Sequence, residues 1–503
     1  MNLRELLGDL REPAFATLGD DTVEIAAVAA DSRGVERGAL FFALPGTRTS
    51  GARFVDEACR RGAAAIVGAP ELTVPPGVTF VATREPGRLL ARAAARLHGS
   101  PTTGLTMVGI TGTNGKTTVT YLLEAIWKAA GVHPGVLGTV SYRCGDRIEP
   151  APLTTPAAPE LFVRLAAMRA AGATHVAMEV SSHALVQGRT DGIEWDVAIF
   201  TNLGRDHLDF HRDLEDYFNA KARLFHALDL SPKPRRTAVL NATDARVAGL
   251  GEVVRSRVVT FGPGGDVYAD AATMTLEGTR AEIVLGAERL AVRTRLVGSG
   301  HMENVLAAVA AAHALGTPLA AIARGIEDLP GVPGRLEQVG ESREFSVLVD
   351  YAHTADALAG VLATLRALVP GRLICVFGCG GDRDRGKRPL MGEAVGCGAD
   401  IAILTSDNPR TEDPLAIIAD AEPGLASSGL PRRPNLASGE RCYVVLPDRA
   451  QAIASAITCA RAGDCVLIAG KGHEDYQIVG TEKLAFDDRA TARRVLAGLR
   501  RRP

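Results

Sequence analysis

No stretch of the 503-residue chain reaches the roughly 18 consecutive apolar residues that a membrane-spanning helix requires, so a membrane span is excluded. The start, MNLRELLGDLREP, has no apolar core and mixes acids with bases in its first turns, which excludes a signal peptide. Surplus charge is missing too: Lys+Arg 56 against Asp+Glu 58 leaves a net charge of −2. A chain without excess positive charge has little with which to neutralise a phosphate backbone, and nucleic acid is not an expected partner. The eight cysteines lack paired CxxC spacing, the nearest pairs being Cys375/Cys379 and Cys459/Cys465. No zinc site is read from them, and reduced thiols in a cytoplasmic protein are expected. Internal repeats and low-complexity tracts are absent as well.

What is present is the composition of a folded, loop-rich globular protein: 46% hydrophobic and 23% charged residues, with 54 glycines and 27 prolines. The length exceeds what one hydrophobic core serves, and three domains are expected. Residues 1–100 alternate strand-like runs (VEIAAVAADS, GALFFAL, AAAIVG, VTFVAT) with helical stretches such as FVDEACRRGA, as a small α/β module does. After the break GSPTTG, LTMVGITG reads as a buried strand and TTVTYLLEAIWKAAG as a helix ended by Gly131. THVAMEV, DVAIFTN and RTAVLN extend a mostly parallel sheet. The Pro- and Gly-rich LPGVPGRLE, after the helix HMENVLAAVAAAHALG, marks a boundary, giving domains 101–331 and 332–503. Beyond it four strand-helix units read FSVLVDYA, RLICVFGCG, ADIAILTSD and DCVLIAGKG. Polar and glycine residues gather at the strand ends, where open parallel sheets bind ligands.

Three constellations carry chemistry. Gly112-Thr113-Asn114-Gly115-Lys116-Thr117-Thr118 lies between a strand and a helix, where backbone N–H groups and the helix N-terminus cradle phosphate; Lys116 would reach the outer phosphates and Thr117 would ligate magnesium. Its glycines are two residues apart rather than the four of the standard P-loop, so the setting carries the reading. Glu179, ending THVAMEV, is placed to bind a metal bridging the γ-phosphate and an incoming acyl group, or is a buried, paired acid. In the third, His207 and His211 are four apart and could share a helix face as a zinc pair, although no HExxH or third ligand accompanies them. Lys221 follows on a helix whose opposite face is apolar; composition alone favours a solvated lysine.

Together GTNGKTT, MEVSSH, NLGRDHLDFH, the lysine of YFNAKARLF, VDYAHTADAL, GCGGDRDRGKRPLM, DNPRTEDP and AGKGHEDYQ resemble the Mur ligases of peptidoglycan synthesis, most closely the MurE type that adds the third residue of the stem peptide. The resemblance covers nearly the whole chain. It implies an α/β protein with an N-terminal UDP-sugar domain, a central P-loop-type ATPase sheet and a C-terminal Rossmann-like sheet that presents the amino acid. It also implies ATP and Mg²⁺ as cofactors and work in cell-wall biogenesis, hence in cell shape and division. A monomer is the expected state.

By the same resemblance Glu179, His207 and Lys221 join Thr117 as metal ligands, Lys221 as a carbamate made with CO2. The change exchanges an ammonium that repels magnesium for an anionic oxygen. Gly112 to Thr118, Asn304, Arg335 and Asp350 would bind ATP. Ala30, Ser32, Thr47, Arg48 and Thr49 would contact the uridine nucleotide. Thr154, Thr155, Ser181, Gln187 and Arg189, with Lys221, would hold the muramyl dipeptide. Arg383, Asp407, Asn408, Pro409, Arg410, Gly470 and Glu474 would surround diaminopimelate, with Pro409 fixing the turn that aims Arg410 at a carboxylate lysine lacks. The implied reaction adds meso-diaminopimelate to UDP-N-acetylmuramoyl-L-alanyl-D-glutamate through an acyl phosphate. The L-lysine-adding ligase stays open as the alternative, and a folylpolyglutamate-type ligase shares the ATPase signatures. One departure stands out: Ala355 replaces the proline the family often shows in DYAHTADAL, which touches only loop stiffness.

Overall fold

The apolar run TMVGIT forms the strand Thr106–Thr111, buried from its second residue onward, as a strand covered on both faces requires. In the computed structural model, which describes residues 1–8, 10, 13–46, 49–340, 344–436 and 440–499, it sits inside six parallel strands. Their spatial order is Arg257–Phe261, Thr237–Asn241, Val197–Phe200, Thr106–Thr111, His175–Glu179 and Pro134–Leu137. From Thr106–Thr111 the chain first fills one side, placing Pro134–Leu137 outside and then His175–Glu179 between them, and afterwards builds outward on the other. Strand order therefore reverses beside that strand, and a crevice opens at its carboxyl end.

Helices Lys116–Ala129, Ser299–Ala314 and Leu319–Asp328 cover one face of this sheet, with Trp127, Val305 and Ile326 in the core. On the other face, Leu161, Phe162 and Met178 share a core with Leu40 and Val67 of the N-terminal sheet and with Leu89 of the helix Pro86–Leu97. The first module is thus bound to the second by apolar packing.

The central sheet is larger than the mostly parallel sheet read from the sequence. It has eleven strands, because the parallel strands Pro134–Leu137 and Arg257–Phe261, not read from the sequence, join the four that were, and antiparallel ribbons extend both ends: Val267–Thr275, Gly278–Leu285 and Glu288–Thr294 at one, Ser141–Cys144 and Arg147–Pro150 at the other. In the ribbon at 267–294, Gly278–Leu285 and Glu288–Thr294 alternate buried and exposed residues, the pattern of strands wet on one face, while Val267–Thr275 is mostly exposed. The sequence reading, tuned to continuous apolar runs, assigned it nothing.

The N-terminal sheet runs Ala16–Leu18, Thr79–Ala82, Ala65–Gly68, Ala39–Phe42, Ala27–Ala29, with only its first pair antiparallel. The C-terminal sheet runs Glu337–Gln338, Ser346–Asp350, Cys465–Ala469, Leu373–Phe377, Ile401–Leu404, Cys442–Val445, parallel except for the first pair. Cys442–Val445 is a fifth parallel strand beyond the four units read from sequence. All eight cysteines are free. Among the described residues no helix is long and apolar enough to cross a membrane.

Candidate active site

A cleft of about 460 Å³ lies where the central sheet's strand ends face the C-terminal domain, and the loop 112–118 forms its floor. Gly112 has φ +139 and Gly115 φ +89, and a Cβ would lie 1.8 Å from Thr201 Oγ1 at the first and 2.1 Å from Asn304 Oδ1 at the second. Only glycine fits either place, which explains the residue type where the spacing departs from the standard P-loop. The loop is fastened to the segment after Val197–Phe200: Asn114 N donates to Asn202 Oδ1 at 2.9 Å, and Gly204 N to Thr113 Oγ1 at 2.9 Å.

Two lysines meet on one carbonyl. Lys116 Nζ donates to the carbonyls of Gly112 at 2.8 Å and Thr113 at 2.9 Å, and Lys221 Nζ also donates to Gly112 at 2.8 Å. Neither lysine has an ion-pair partner among the described residues. Burial pulls the Lys116 ammonium below its usual range, and burial followed by the Lys116 charge pulls Lys221 well below its own. Lys221 is 1% exposed, so the solvated lysine favoured by composition is wrong. Its helix, Leu214–Asp229, turns Lys221 inward beside Tyr217, whose ring lies 4.3 Å from Nζ.

Glu179 is also buried. Its Oε1 accepts from Thr139 N and its Oε2 from Thr139 Oγ1, both at 2.8 Å. Around it the acceptor candidates interlock: Thr154 Oγ1 lies 3.0 Å from Thr139 Oγ1, and Thr155 Oγ1 donates to the Glu179 carbonyl at 2.8 Å. Arg189 reaches the Thr155 carbonyl at 2.9 Å and Gln187 Oε1 at 2.6 Å, while Ser181 caps the helix Ser182–Val186. Among the described residues Arg189 therefore hydrogen-bonds only neutral acceptors, and burial lowers its pKa.

His207 and His211 do not share a helix. They lie in the segment before Leu214–Asp229, joined by a single helical-type bond from His211 N to the His207 carbonyl at 2.9 Å, with His207 at φ +56. His211 Nε2 turns to Ser182 Oγ at 2.9 Å, whereas His207 faces the cleft, its pKa pushed by burial down to about 3. A zinc pair is thereby set aside. Among the described residues no three His, Cys, Asp or Glu side chains stand close enough to cage a metal. Magnesium needs no such cage, because it keeps water and phosphate oxygens and takes one or two protein ligands. Thr117 and Glu179 line the cleft with hard oxygen donors, which fit that ion, and the neutral His207 beside them adds a borderline nitrogen donor.

Asn304, Arg335 and Asp350 line the same cleft. Arg335 Nη2 donates to Thr117 Oγ1 at 3.3 Å, and its guanidinium sits 4.5 Å from the Tyr351 ring centre. Asp350 accepts from Leu336 N and Ala352 N at 2.7 Å each, and burial raises its pKa.

Sequence reasoning missed Asp206, which joins the two domains. Its carboxylate lies 3.5 Å from Lys387 Nζ and 3.6 Å from His353 Nε2, both in the C-terminal domain. Burial would raise its pKa, but His353, His207 and Lys387 together hold it well below the usual range. All these residues stand in motifs already quoted; what the sequence lacked was any sign that they meet.

The diaminopimelate candidates gather around the ends of Leu373–Phe377, Ile401–Leu404 and Cys465–Ala469. Asn408 Nδ2 donates to Glu474 Oε2 at 2.9 Å, and Asp407 Oδ2 lies 3.7 Å from where a Cβ on Gly470 would stand. Arg410 follows Pro409 with φ +52, and its Nη1 donates to the Gly381 carbonyl at 2.8 Å. It does not pair with Glu412 or Asp413, since Glu412 holds Arg388 at 2.7 Å and Asp413 caps Leu415 N at 3.0 Å. Arg383 donates to the Asp382 carbonyl at 3.0 Å. Burial, then the neighbouring Arg383, lowers the Arg410 pKa.

The uridine candidates lie apart from this cleft. Ala30 and Ser32 follow Ala27–Ala29, Ser32 Oγ donating to Glu57 Oε2 at 2.9 Å, and Thr49 is exposed. Thr47 and Arg48 fall outside the described residues. A smaller hollow, missed in the sequence, opens at the neighbouring strand ends between Ala43, Ser50, Ala69 and Arg84.

Residues 24–96 match the family model "Mur ligase family, catalytic domain", 110–312 match "Mur ligase middle domain", and 334–472 match "Mur ligase, glutamate ligase domain". The chain is 48% identical to UDP-N-acetylmuramoyl-L-alanyl-D-glutamate–2,6-diaminopimelate ligase of Geobacter sulfurreducens, over 95% of this chain and 96% of that protein. To the protein of the same name from Listeria monocytogenes it is 41% identical, over 98% of each. A solved structure bearing that name superposes with a TM-score of 0.68 at 34% identity, over 99% of both chains.

Proposed function

The chain belongs to the Mur ligase family, and from that premise we propose that it joins meso-2,6-diaminopimelate to UDP-N-acetylmuramoyl-L-alanyl-D-glutamate in an ATP-dependent step of peptidoglycan synthesis. The observation that carries the reading is a set of cations without carboxylate partners. Among the described residues, Lys116, Lys221, Arg189 and Arg335 hydrogen-bond only neutral acceptors around the central cleft, as Arg383 and Arg410 do in the C-terminal crevice. Lys116, Lys221, Arg189 and Arg410 are desolvated where they stand, whereas Arg383 is exposed; a desolvated cation left unpaired is costly, and an anionic ligand beside it offsets the cost.

In this reading the acceptor's γ-carboxylate, held near Thr154, Thr155, Ser181 and Arg189, attacks the ATP γ-phosphorus. Lys116 and the 112–118 backbone stabilise the charge that develops. ADP leaves and an acyl phosphate forms. The amine of diaminopimelate, held from the C-terminal crevice, attacks the acyl carbon; the tetrahedral intermediate expels phosphate and leaves the amide. Asn304, Arg335 and Asp350 hold the nucleotide.

Thr117, Glu179, His207 and Lys221 would hold magnesium, which when bound neutralises phosphate charge. Lys221 fits only after modification. Its depressed pKa favours the free amine, which attacks CO2 to give a carbamate and release a proton, turning a repelling cation into an anionic oxygen donor. Free thiols and ATP dependence support a cytoplasmic setting.

The test is to incubate the purified protein with the UDP-muramyl dipeptide, ATP and equal diaminopimelate and L-lysine, and to weigh the product. A diaminopimelate adduct is expected. A lysine adduct overturns the substrate assignment, and phosphate release without either amino acid and without ligation overturns the ligase reading.

A further inference from the structure

The motif AGKGHEDYQ supplies Gly470 and Glu474 to the amino-acid crevice, yet its lysine has no role in that reading. Lys471 is wholly buried, so it cannot touch a substrate. Its Nζ donates to Asn408 Oδ1 and to the Tyr476 carbonyl, both at 2.8 Å, and lies 3.2 Å from Asp407 Oδ1 and 3.5 Å from Glu474 Oε2. An ammonium has three donors and no acceptor; two of them are used in these hydrogen bonds, and its charge is answered by the Asp407 and Glu474 carboxylates at ion-pair distance.

The consequence falls on Asn408. Its Oδ1 receives Lys471 and also the backbone N–H of Ile478 at 2.9 Å. Both partners only donate, so the amide has one possible orientation, with Nδ2 turned to Glu474 Oε2 at 2.9 Å. Oε2 is thereby occupied, while none of the described residues donates to Oε1 of Glu474. Gln477 holds the same loop from the other side, its Nε2 donating to the Asp407 carbonyl at 2.6 Å. The adjoining backbone pins Arg410: Arg410 N donates to Ile478 at 3.0 Å, and Gly480 N to the Arg410 carbonyl at 2.7 Å. This keeps Arg410 in a left-handed conformation that a residue bearing a Cβ holds only when its surroundings impose it.

We propose that Lys471 is a positioning residue for the amino-acid substrate: it locks the Asn408 amide and leaves Glu474 a single open oxygen, Oε1, to receive the substrate's ammonium. The inference rests on reading the C-terminal crevice as the diaminopimelate site. Without Lys471 the Asp407 and Glu474 carboxylates share a buried space with no ammonium between them, and the Asn408 amide is free to turn over. The loss falls on amino-acid binding and spares the ATP cleft, which lies outside this network.

The experiment compares wild type with Lys471→Met and Lys471→Gln, the second of which still donates to Asn408 Oδ1. Each variant is first checked for ADP binding by calorimetry, which reports an intact central cleft. Lys471→Met should raise the KM for diaminopimelate by roughly 10²-fold and Lys471→Gln by roughly tenfold, on the scale of lost charged and neutral hydrogen bonds. KM for ATP and for the UDP-muramyl dipeptide should stay within about twofold, and kcat at saturating diaminopimelate should fall far less than kcat/KM. An unchanged diaminopimelate KM in variants that bind ADP, or an equal change in all three KM values, overturns the proposal. Should neither variant bind ADP, the part-exposed Gln477→Ala decides: a KM for diaminopimelate raised alone supports the locked loop, and an unchanged one overturns it. A wild-type protein that does not join diaminopimelate at all refutes the reading of the crevice, a result separate from any variant's.

Discussion

Lys221 and Lys471 are equally hidden, at 1% and 0% exposure, and their surroundings are opposite. Lys221 has one carbonyl, a tyrosine ring and a second lysine for company; Lys471 has two carboxylates, an amide and a carbonyl. The contrast extends beyond the two residues. Buried cations that support the C-terminal scaffold are answered by carboxylates, as in Arg449 with Asp488 at 2.7 Å and Arg388 with Glu412 and Asp420. Among the described residues, the six cations named at the clefts are not. Burial of a charge is tolerated when it is paired, so an unpaired one marks where a ligand's charge, or a chemical modification, completes the structure.

Removing the central unpaired cation tests that contrast hardest. Lys116→Ala should lower ligation by a factor on the order of 10³ or more, since the group acts on transition-state charge, while the thermal unfolding midpoint stays near wild type. Wild-type turnover in this variant breaks the comparison outright.

Lys221→Ala should be nearly as inactive, and short carboxylic acids such as formate should restore part of the rate by replacing the missing oxygen donor. Carbon-13 NMR of wild type equilibrated with labelled CO2 should show a carbamate signal that the variant lacks. A fully active variant without additives would return Lys221 to a structural role.

Arg410→Ala should raise the KM for diaminopimelate by a factor on the order of 10², the scale of a lost charged hydrogen-bond pair, and shrink the preference over lysine. Retained affinity would show that an unpaired guanidinium in this crevice is not waiting for a carboxylate.

The smallest effect belongs to a paired cation. Arg388 holds the Glu412 carboxyl down to about 2 from an ordinary 4.5. A depressed acid contributes stability that is complete above its unfolded value and lost as pH falls through the folded one. Glu412→Gln should therefore lower the unfolding midpoint by a few degrees at neutral pH and flatten its decline between about 4.5 and about 2. An unchanged slope over that window would remove Arg388 and Glu412 from the paired set.

The departure at Ala355 shows how a local signal is resolved by structure. Ala355 opens the helix Ala355–Leu368, capped by Thr354, whose Oγ1 accepts from Ala357 N. Proline suits that first helical position, but alanine fills it without losing a hydrogen bond, so the substitution costs stiffness alone. The ribbon at 267–294 is the opposite case. Its alternation was present in the sequence and was overlooked, because half-buried strands give a weaker signal than the continuous apolar runs beside them.

The sequence by itself determined most of the parallel strands, though not Pro134–Leu137, Arg257–Phe261 or Cys442–Val445, together with the glycines of the 112–118 loop and the chemical types at the strand ends, because these are local: backbone geometry and periodicity act over a few residues. Only the tertiary structure decided which charges are alone. Composition alone favoured a solvated Lys221, against the metal-ligand role the resemblance implied, and only the fold shows its helix turning it inward; whether His207 and His211 share a helix face stayed open until the chain placed them before that helix, His211 on Ser182 and His207 on the cleft. Asp206 had no partner until His353 and Lys387 arrived from the other domain. Desolvation and pairing depend on what surrounds a group in three dimensions, and residues nearly two hundred positions apart do that surrounding here.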